Sequence, residues 1–343
     1  MTHETYMWRC IQLAQLGGGF VFPNPLVGCV IVKNNRIIGE GFHKQAGEAH
    51  AEVEAVESVA NKEEIEGSTV YVSLEPCSHF GKTPPCADLL IQLKVKEVII
   101  GCMDLNPKVA GKGIEKLKRS GIEVIKGILE DECRKLNKRF FTFHEKQRPY
   151  VILKWAQTLD GFLDRSRIDN QMGVNWISAP ETKALVHKWR SQEHAILVGR
   201  NTIVHDNPSL TVREFHGKNP IRIVIDSQLQ LKNDMNIFSK DAPTIIFNRV
   251  KNHQNNNVEW VKIQETSTTN ILTELYNRGI QSVFVEGGSR TLQYFIVDNV
   301  WDEARVIVGN KKFEDGVRAP LISKIPTDTQ KFGEDIIYYY YRK

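Results

Sequence analysis

At 343 residues, 41% apolar and 25% charged, the chain is long enough for two domains and has the composition of a soluble globular protein. A net charge of +4 is only mildly basic, which favours small anionic substrates slightly and is weak support for nucleic-acid binding, and no nucleic-acid partner is expected. No apolar run reaches the ~18 residues of a membrane span and MTHETYMWRC has no signal-peptide core, so a cytoplasmic protein without a membrane partner is expected.

In chain order, paired strands are expected over 27–32 and 36–40 around the turn Lys33-Asn34-Asn35. Val53, Val56, Val59 and Ala60 recur at helical spacing over 51–60. A buried strand at 69–74 precedes a helix at 87–93, a strand at 97–101, a helix at 113–120 and a strand at 123–125. The polar segment 145–149 ends in Pro149 and reads as the boundary between domains over 1–145 and 149–343. Beyond it, strands are expected at 150–154, 195–199, 221–226, 244–248, 282–286 and 303–308, with helices at 182–190 and 289–295. Such alternation in both halves predicts two α/β domains with largely buried sheets.

The six cysteines all precede residue 134. In a cytosolic chain this favours metal binding or burial over disulfides. Cys10, Cys29, Cys102 and Cys133 are expected as small buried hydrophobes. Cys77 and Cys86 differ: each follows a proline, and His50-Ala51-Glu52 lies upstream. One imidazole and two thiolates can hold a single Zn²⁺ with water in the fourth position, and Glu52 can move protons beside it. This is the H-x-E…P-C…C pattern of zinc deaminases acting on nucleobase-like rings. Residues i and i+2 are ~200° apart on an ideal helix, so His50 and Glu52 can share a site only by straddling a helix start. A closed structural zinc site and a fortuitous His/Cys set remain alternatives at this point.

The spacing between the cysteines is eight residues rather than the usual two. The piece Glu75-Pro-Cys-Ser-His-Phe-Gly-Lys-Thr-Pro-Pro-Cys86 resembles the deaminase half of the bifunctional riboflavin-biosynthesis deaminase/reductases. Pro23-Asn-Pro-Leu-Val-Gly28, Gly41-Phe-His43, Gly47-Glu-Ala-His-Ala-Glu52 and Asn106-Pro-Lys-Val-Ala-Gly-Lys-Gly113 agree. The resemblance implies a cytidine-deaminase-like α/β/α domain in which Asn24, His43, Asp104 and Asn106 meet the pyrimidine or ribose. It also brings Lys82 to the phosphate, with His79 a loop or substrate-side residue. Leu105 stands where the family usually has proline.

In the second half, Glu286-Gly287-Gly288-Ser289 joins an apolar strand to a helix, so backbone N–H groups can meet a phosphate. Alone, such a turn is more often a tight connection, and no Rossmann G-x-G-x-x-G is present. Lys154-Trp-Ala-Gln-Thr-Leu-Asp-Gly161, Trp176-Ile-Ser-Ala-Pro180, the run from Thr202 to Arg213 and Ile221-Arg-Ile-Val-Ile-Asp-Ser227 follow the order of the family's reductase half. That resemblance implies a dihydrofolate-reductase-like α/β domain using NADPH. Gln157 (through its backbone), Trp176, Thr202, Asp206, Ser227, Gly288, Ser289, Arg290 and Thr291 would line the cofactor site. Lys154, Arg190, Leu210, Arg213 and Glu286 would meet a ribosylaminopyrimidine phosphate. Val174 replaces a residue often polar in the family. Without the resemblance, Trp176 reads as a core aromatic and Arg190 as a helix-surface charge. A tRNA or free-base deaminase and a non-catalytic zinc scaffold are the rival functions, and a homo-oligomer is left open.

Overall fold

The structure is a computed structural model that describes residues 2–78, 80, 84–106, 110–167 and 172–342. It divides into two compact units, Met1–Lys146 and Gln147–Lys343.

The first unit runs α1 (His3–Gln15), β1 (Gly28–Lys33), β2 (Arg36–Phe42), α2 (Ala51–Ser58), β3 (Thr69–Leu74), α3 (Cys86–Gln92), β4 (Glu97–Cys102), α4 (Lys112–Arg119), β5 (Glu123–Lys126), α5 (Glu130–Leu136) and α6 (Lys138–Lys146). The sheet order is β2-β1-β3-β4-β5. β1 is antiparallel to both neighbours, and β3, β4 and β5 are parallel. Alternate strand residues face opposite cores, as the period of a strand requires. Ile31, Val72 and Ile100 pack with Ala55 of α2, Leu90 of α3 and Leu117 of α4, whereas Val30, Tyr71 and Ile99 pack with Met7 of α1 and Phe140 of α6. The result is an α/β/α layering. The expected hairpin forms, with Asn34 and Asn35 both at positive φ (51° and 60°), as a two-residue hairpin turn needs. Two glycines set the approach of helices that matter later. A Cβ on Gly41 would lie 2.2 Å from Ala55 N, and one on Gly113 would lie 2.1 Å from Pro76 O.

The second unit runs β6 (Tyr150–Thr158), β7 (Phe162–Asp164), α7 (Pro180–Ser191), β8 (Ala195–Gly199), α8 (Arg200–Asp206), β9 (Ile221–Ile225), β10 (Thr244–Asn248), β11 (His253–Asn255), β12 (Val258–Lys262), α9 (Thr268–Asn277), β13 (Ser282–Val285), α10 (Ser289–Val297), β14 (Glu303–Gly309), β15 (Val317–Arg318), β16 (Asp328–Phe332) and β17 (Asp335–Tyr341). Ten strands form one sheet in the order β11-β12-β10-β9-β8-β13-β6-β14-β17-β16. From β12 through β14 all pairs are parallel. β11 and the β16–β17 hairpin extend the two ends antiparallel. Helices cover both faces: Leu275 of α9 and Phe295 of α10 pack with Leu153 and Val285, and Trp189 of α7 packs with Ile152 and Phe284. Burial on both faces explains the continuous apolar runs that made these strands legible.

Several elements exceed the sequence expectation. α1, α5, α6, α8, α9, β7, β11, β12 and the strands after Gly309 had no counterpart in it. β6 continues four residues past Lys154 because it pairs with β14 as far as Thr158↔Gly309. α6 reaches into the polar 145–149 segment through Lys146. Cys10, Cys29, Cys102 and Cys133 are buried free thiols, as expected. No helix among the described residues is long and apolar enough to cross a membrane.

Candidate functional site

His50 is the N-cap of α2, with extended backbone (φ −74°, ψ 163°), so its side chain leaves the helix before the helix begins. Glu52 lies in the first turn and is 3% exposed. The pair therefore straddles the helix start, as a shared site requires. Cys77 lies just past the C-terminal end of β3, and Cys86 opens α3, one residue earlier than expected, with Pro85 as N-cap.

Nδ1 of His50 is 3.6 Å from Cys77 Sγ and 3.4 Å from Cys86 Sγ. A zinc ion bound tetrahedrally at ~2.3 Å from sulfur and ~2.0 Å from nitrogen sets its ligand atoms roughly 3.6 Å apart. The two nitrogen–sulfur distances thus match the edge lengths of a zinc tetrahedron. All donor atoms lie within 4.8 Å of one another. The Cys86 backbone N–H donates to Cys77 Sγ at 3.3 Å. The Cys86 thiol, followed by the His50 ring, holds the Cys77 thiol down at about 4, so Cys77 is a thiolate. The same contact and burial push Cys86 up. Burial, then the Cys77 charge, raises the Glu52 carboxyl. A divalent cation among these groups favours the thiolate form of both sulfurs.

Around this cluster, His43 is buried (3% exposed). Its Nδ1 faces Ala49 O at 2.9 Å and must donate, so Nε2 is left to accept from Asn24 Nδ2, also at 2.9 Å. Burial lowers the ring's pKa. His43 therefore stands behind Asn24 and orients it. Asp104 Oδ1 accepts the Asn106 N–H at 2.7 Å, closing a local turn across Leu105 without the family's proline. Lys82 and His79 lie outside the described residues.

The structure gives Glu75 a larger part than its place in a motif implies. One oxygen accepts from Gly113 N (3.1 Å) and Ile114 N (3.3 Å), the other from Gly111 N (3.0 Å) and Asp104 N (3.4 Å). A buried carboxylate two residues before Cys77 thus ties the start of α4 and Asp104 to the metal cluster. An acid just before Pro-Cys at the end of an apolar strand was the available signal.

In the second unit two cavities, ≈1000 Å³ and ≈450 Å³, open where the parallel strands end, the usual place for ligands in such sheets. Thr202, Asp206, Ser227 and the whole 288–291 stretch line the larger. Lys154, Arg190, Leu210, Arg213 and Glu286 line the smaller. The two share Leu163, Thr202, Asp206 and Gly288, which marks where two ligands would meet. α10 starts at Ser289 with Gly288 as N-cap and no side-chain cap, leaving its first N–H groups to the cavity. Gly288 N–H itself donates to Thr202 Oγ1 at 3.0 Å. A dinucleotide phosphate fits this uncapped helix start.

Two expected residues sit differently. Trp176 is 53% exposed and lines the smaller cavity, with the Lys183 ammonium 4.4 Å above its ring, so it is no core aromatic. Gln157 lies outside both linings, and its side chain accepts the Trp155 indole N–H at 2.8 Å. Val174 also lines the smaller cavity, so the departure at that position bears on its ligand. Arg190 is no surface charge: its guanidinium grips both Glu286 oxygens, at 2.7 and 2.8 Å, and Lys154 lies 3.7 Å from the same carboxylate. Despite burial, Arg190 and Lys154 hold the Glu286 carboxyl down at about 2. Leu210 is buried at φ +52°, a conformation disfavoured for a branched residue and characteristic of ligand-contacting loops. His187 and Lys183 line the same cavity from α7 and were missed, although they lie three and seven residues before Arg190 on one helix face.

Comparison with known proteins gives two family matches. Residues 1–102 match the cytidine and deoxycytidylate deaminase zinc-binding region, and residues 149–319 match the RibD C-terminal domain. The riboflavin biosynthesis protein RibD of Aquifex aeolicus is 39% identical over 321 residues, covering 92% of this chain and 88% of that protein. The RibD of Actinobacillus pleuropneumoniae is 38% identical, covering 98% and 94%. Among solved structures, a diaminohydroxyphosphoribosylaminopyrimidine deaminase/5-amino-6-(5-phosphoribosylamino)uracil reductase from Thermotoga maritima superposes with a TM-score of 0.88 at 39% identity, covering 98% of this chain and 97% of that one.

Proposed function

Since the chain belongs to the RibD family of bifunctional deaminase/reductases of riboflavin biosynthesis, we propose the residues through which its zinc-binding deaminase domain and NADPH-dependent reductase domain carry out the two steps. The domains are taken as 1–145 and 149–343.

In the first, His50, Cys77 and Cys86 hold one zinc ion, and the observation that carries this is that the His50 nitrogen stands at tetrahedral edge distance from both sulfurs beside buried Glu52. Zinc, when bound, supplies a water that ionises near neutral pH. Glu52 accepts the water proton and passes it to the ring nitrogen and the departing ammonia, so that a ring amine and water become a ring carbonyl and ammonia. Asn24, oriented by His43, and the turn at Asp104 and Asn106 position the pyrimidine of 2,5-diamino-6-ribosylamino-4(3H)-pyrimidinone 5′-phosphate, with Lys82 assigned to its phosphate.

In the second, the larger cavity takes NADPH through Thr202, Asp206, Ser227 and residues 288–291, and the smaller takes the deaminated ribosyl phosphate. Gln157 and Trp176 belong to the cofactor's surroundings in this reading. NADPH supplies the hydride. The protein's part is to bring C1′ of the sugar against the nicotinamide where the cavities meet, giving 5-amino-6-ribitylaminouracil 5′-phosphate. The reading places the enzyme in the cytoplasm, acting on small phosphorylated substrates without a nucleic-acid partner.

Assaying the two half-reactions separately on the purified full chain tests the scheme. Ammonia release without NADPH oxidation on the deaminated substrate would remove the reductase half. Gly288→Val tests the cofactor site. Its Cβ would meet only Thr202 Oγ1 at 3.6 Å, so the protein can accommodate it while the added methyls occupy the cavity mouth. NADPH affinity, titrated by fluorescence, is expected to fall more than tenfold, at least ~1.4 kcal/mol, with deamination unchanged. Unchanged affinity would place the cofactor elsewhere.

A further inference from the structure

The cations around the smaller cavity are not equivalent. Arg190 gives Nε and Nη2 to Glu286 and Nη1 to Thr211 O at 3.3 Å, so its fork is already engaged. Three of its five N–H groups, the whole Nε–Nη2 edge among them, are thereby taken by the protein. Lys183 is paired with Glu214 at 3.3 Å. Arg213 differs: its guanidinium donates to Thr211 Oγ1 at 3.0 Å and has no ion pair among the described residues.

Beside Arg213 stands His187, 2% exposed yet in the cavity wall. Its Nδ1 accepts the backbone N–H of Arg213 at 3.0 Å. A backbone N–H can only donate, so Nδ1 carries no proton and the neutral ring bears its hydrogen on Nε2. Burial, with Arg190 and Arg213 close by, draws the ring's pKa down to about 4, and the ring is neutral at pH 7. Nε2–H has no protein partner among the described residues. That ring N–H is not sealed in the core, and in the wall of the cavity it is open to an oxygen of a ligand.

We infer that His187 is a substrate-binding residue of the reductase, donating Nε2–H to the phosphate that the Arg213 guanidinium pairs with. The inference rests on the reading of the smaller cavity as the substrate site. One residue then does two jobs. Its Nδ1 fixes the backbone of the loop that carries Arg213, and its Nε2 reads the anion that the loop captures. Arg190, one turn further along α7, pairs with Glu286, whose carboxylate also draws in Lys154.

Two amide variants separate these jobs. In His187→Asn the side-chain oxygen can replace Nδ1 and still accept from Arg213 N–H, but nothing reaches the Nε2 position. In His187→Gln the amide N–H reaches that position. The test is steady-state reduction of 5-amino-6-(5-phosphoribosylamino)uracil by the full chain, with inorganic phosphate as a competing probe and NADPH affinity as the check of folding. His187→Asn is expected to raise KM and the inhibition constant of phosphate at least tenfold, with kcat within about threefold and NADPH binding unchanged. His187→Gln is expected to recover most of that loss, and carries the test should the asparagine variant fail to bind NADPH. Arg213→Gln is the control on the cavity. If it raises KM while both His187 variants match wild type, the His187 assignment is overturned alone. If none of the three changes KM, the cavity is not the substrate site and both readings are overturned.

Discussion

Replacing Glu52 with glutamine is expected to lower deamination by about 10² to 10⁴-fold while zinc stays bound and reduction of the pre-deaminated substrate proceeds at the wild-type rate. The amide matches the carboxylate in size but cannot accept a proton from water. Glu52 is 3% exposed in the first turn of α2, so no bulk water substitutes for it freely. The carboxyl is also raised by its burial, which suits a group that must take a proton and give it back. Ammonia release, metal content and NADPH oxidation measured on one preparation decide the matter. Deamination within a few-fold of wild type would move the proton-transfer role to another group.

The second large effect is expected from Cys77→Ala. Zinc content should drop from one per chain to a small fraction, and ammonia release should disappear with it. Cys77 takes the Cys86 backbone N–H and the His50 ring, and its thiol is held down at about 4, so it is the anionic corner of the cluster. Without it, one imidazole and one thiol remain, too few for a stable zinc site. The loss should also lower the melting temperature of the first unit, because metal binding free energy is folding free energy. Cys29→Ala is the control: that sulfur is fully buried in the apolar core beside Ile31 and Val72, so zinc should be retained. Full zinc retention in Cys77→Ala would mean that the ligand set is wrong.

The alternating α/β pattern was readable because the central strands of both sheets, such as β3, β4, β8 and β13, are buried on two faces and show as short apolar runs. Elements whose signal was weaker went unread. α8 is only seven residues long. α1 does carry helical periodicity in Met7, Cys10, Ile11 and Ala14, but polar residues interrupt it. The run Ile336–Tyr341 has strong strand propensity, yet only its antiparallel pairing with β14 makes it a strand of the main sheet. Where a strand pairs is decided by residues far away in sequence.

The metal cluster was the most legible feature for a physical reason. Zinc chemistry restricts residue type so narrowly that His50, Cys77 and Cys86 stand out, and each lies at an element end whose signals are local. The family motifs likewise carried the two activities. What the tertiary structure alone decided is which atoms of those residues are free. The sequence does not show that His50 turns Nδ1 to the sulfurs, or that His43 has both nitrogens engaged. It does not show that Glu75 gathers N–H groups from a helix about forty residues on. Arg190 reads from sequence as a ready phosphate ligand. In the fold, a carboxylate 96 residues away occupies the Nε–Nη2 edge of its guanidinium, because Trp189 of α7 packs against Phe284 of β13, next to Arg190 and just before Glu286. Hydrogen-bonding capacity is finite, and only the three-dimensional packing of distant segments determines what remains of it for a substrate.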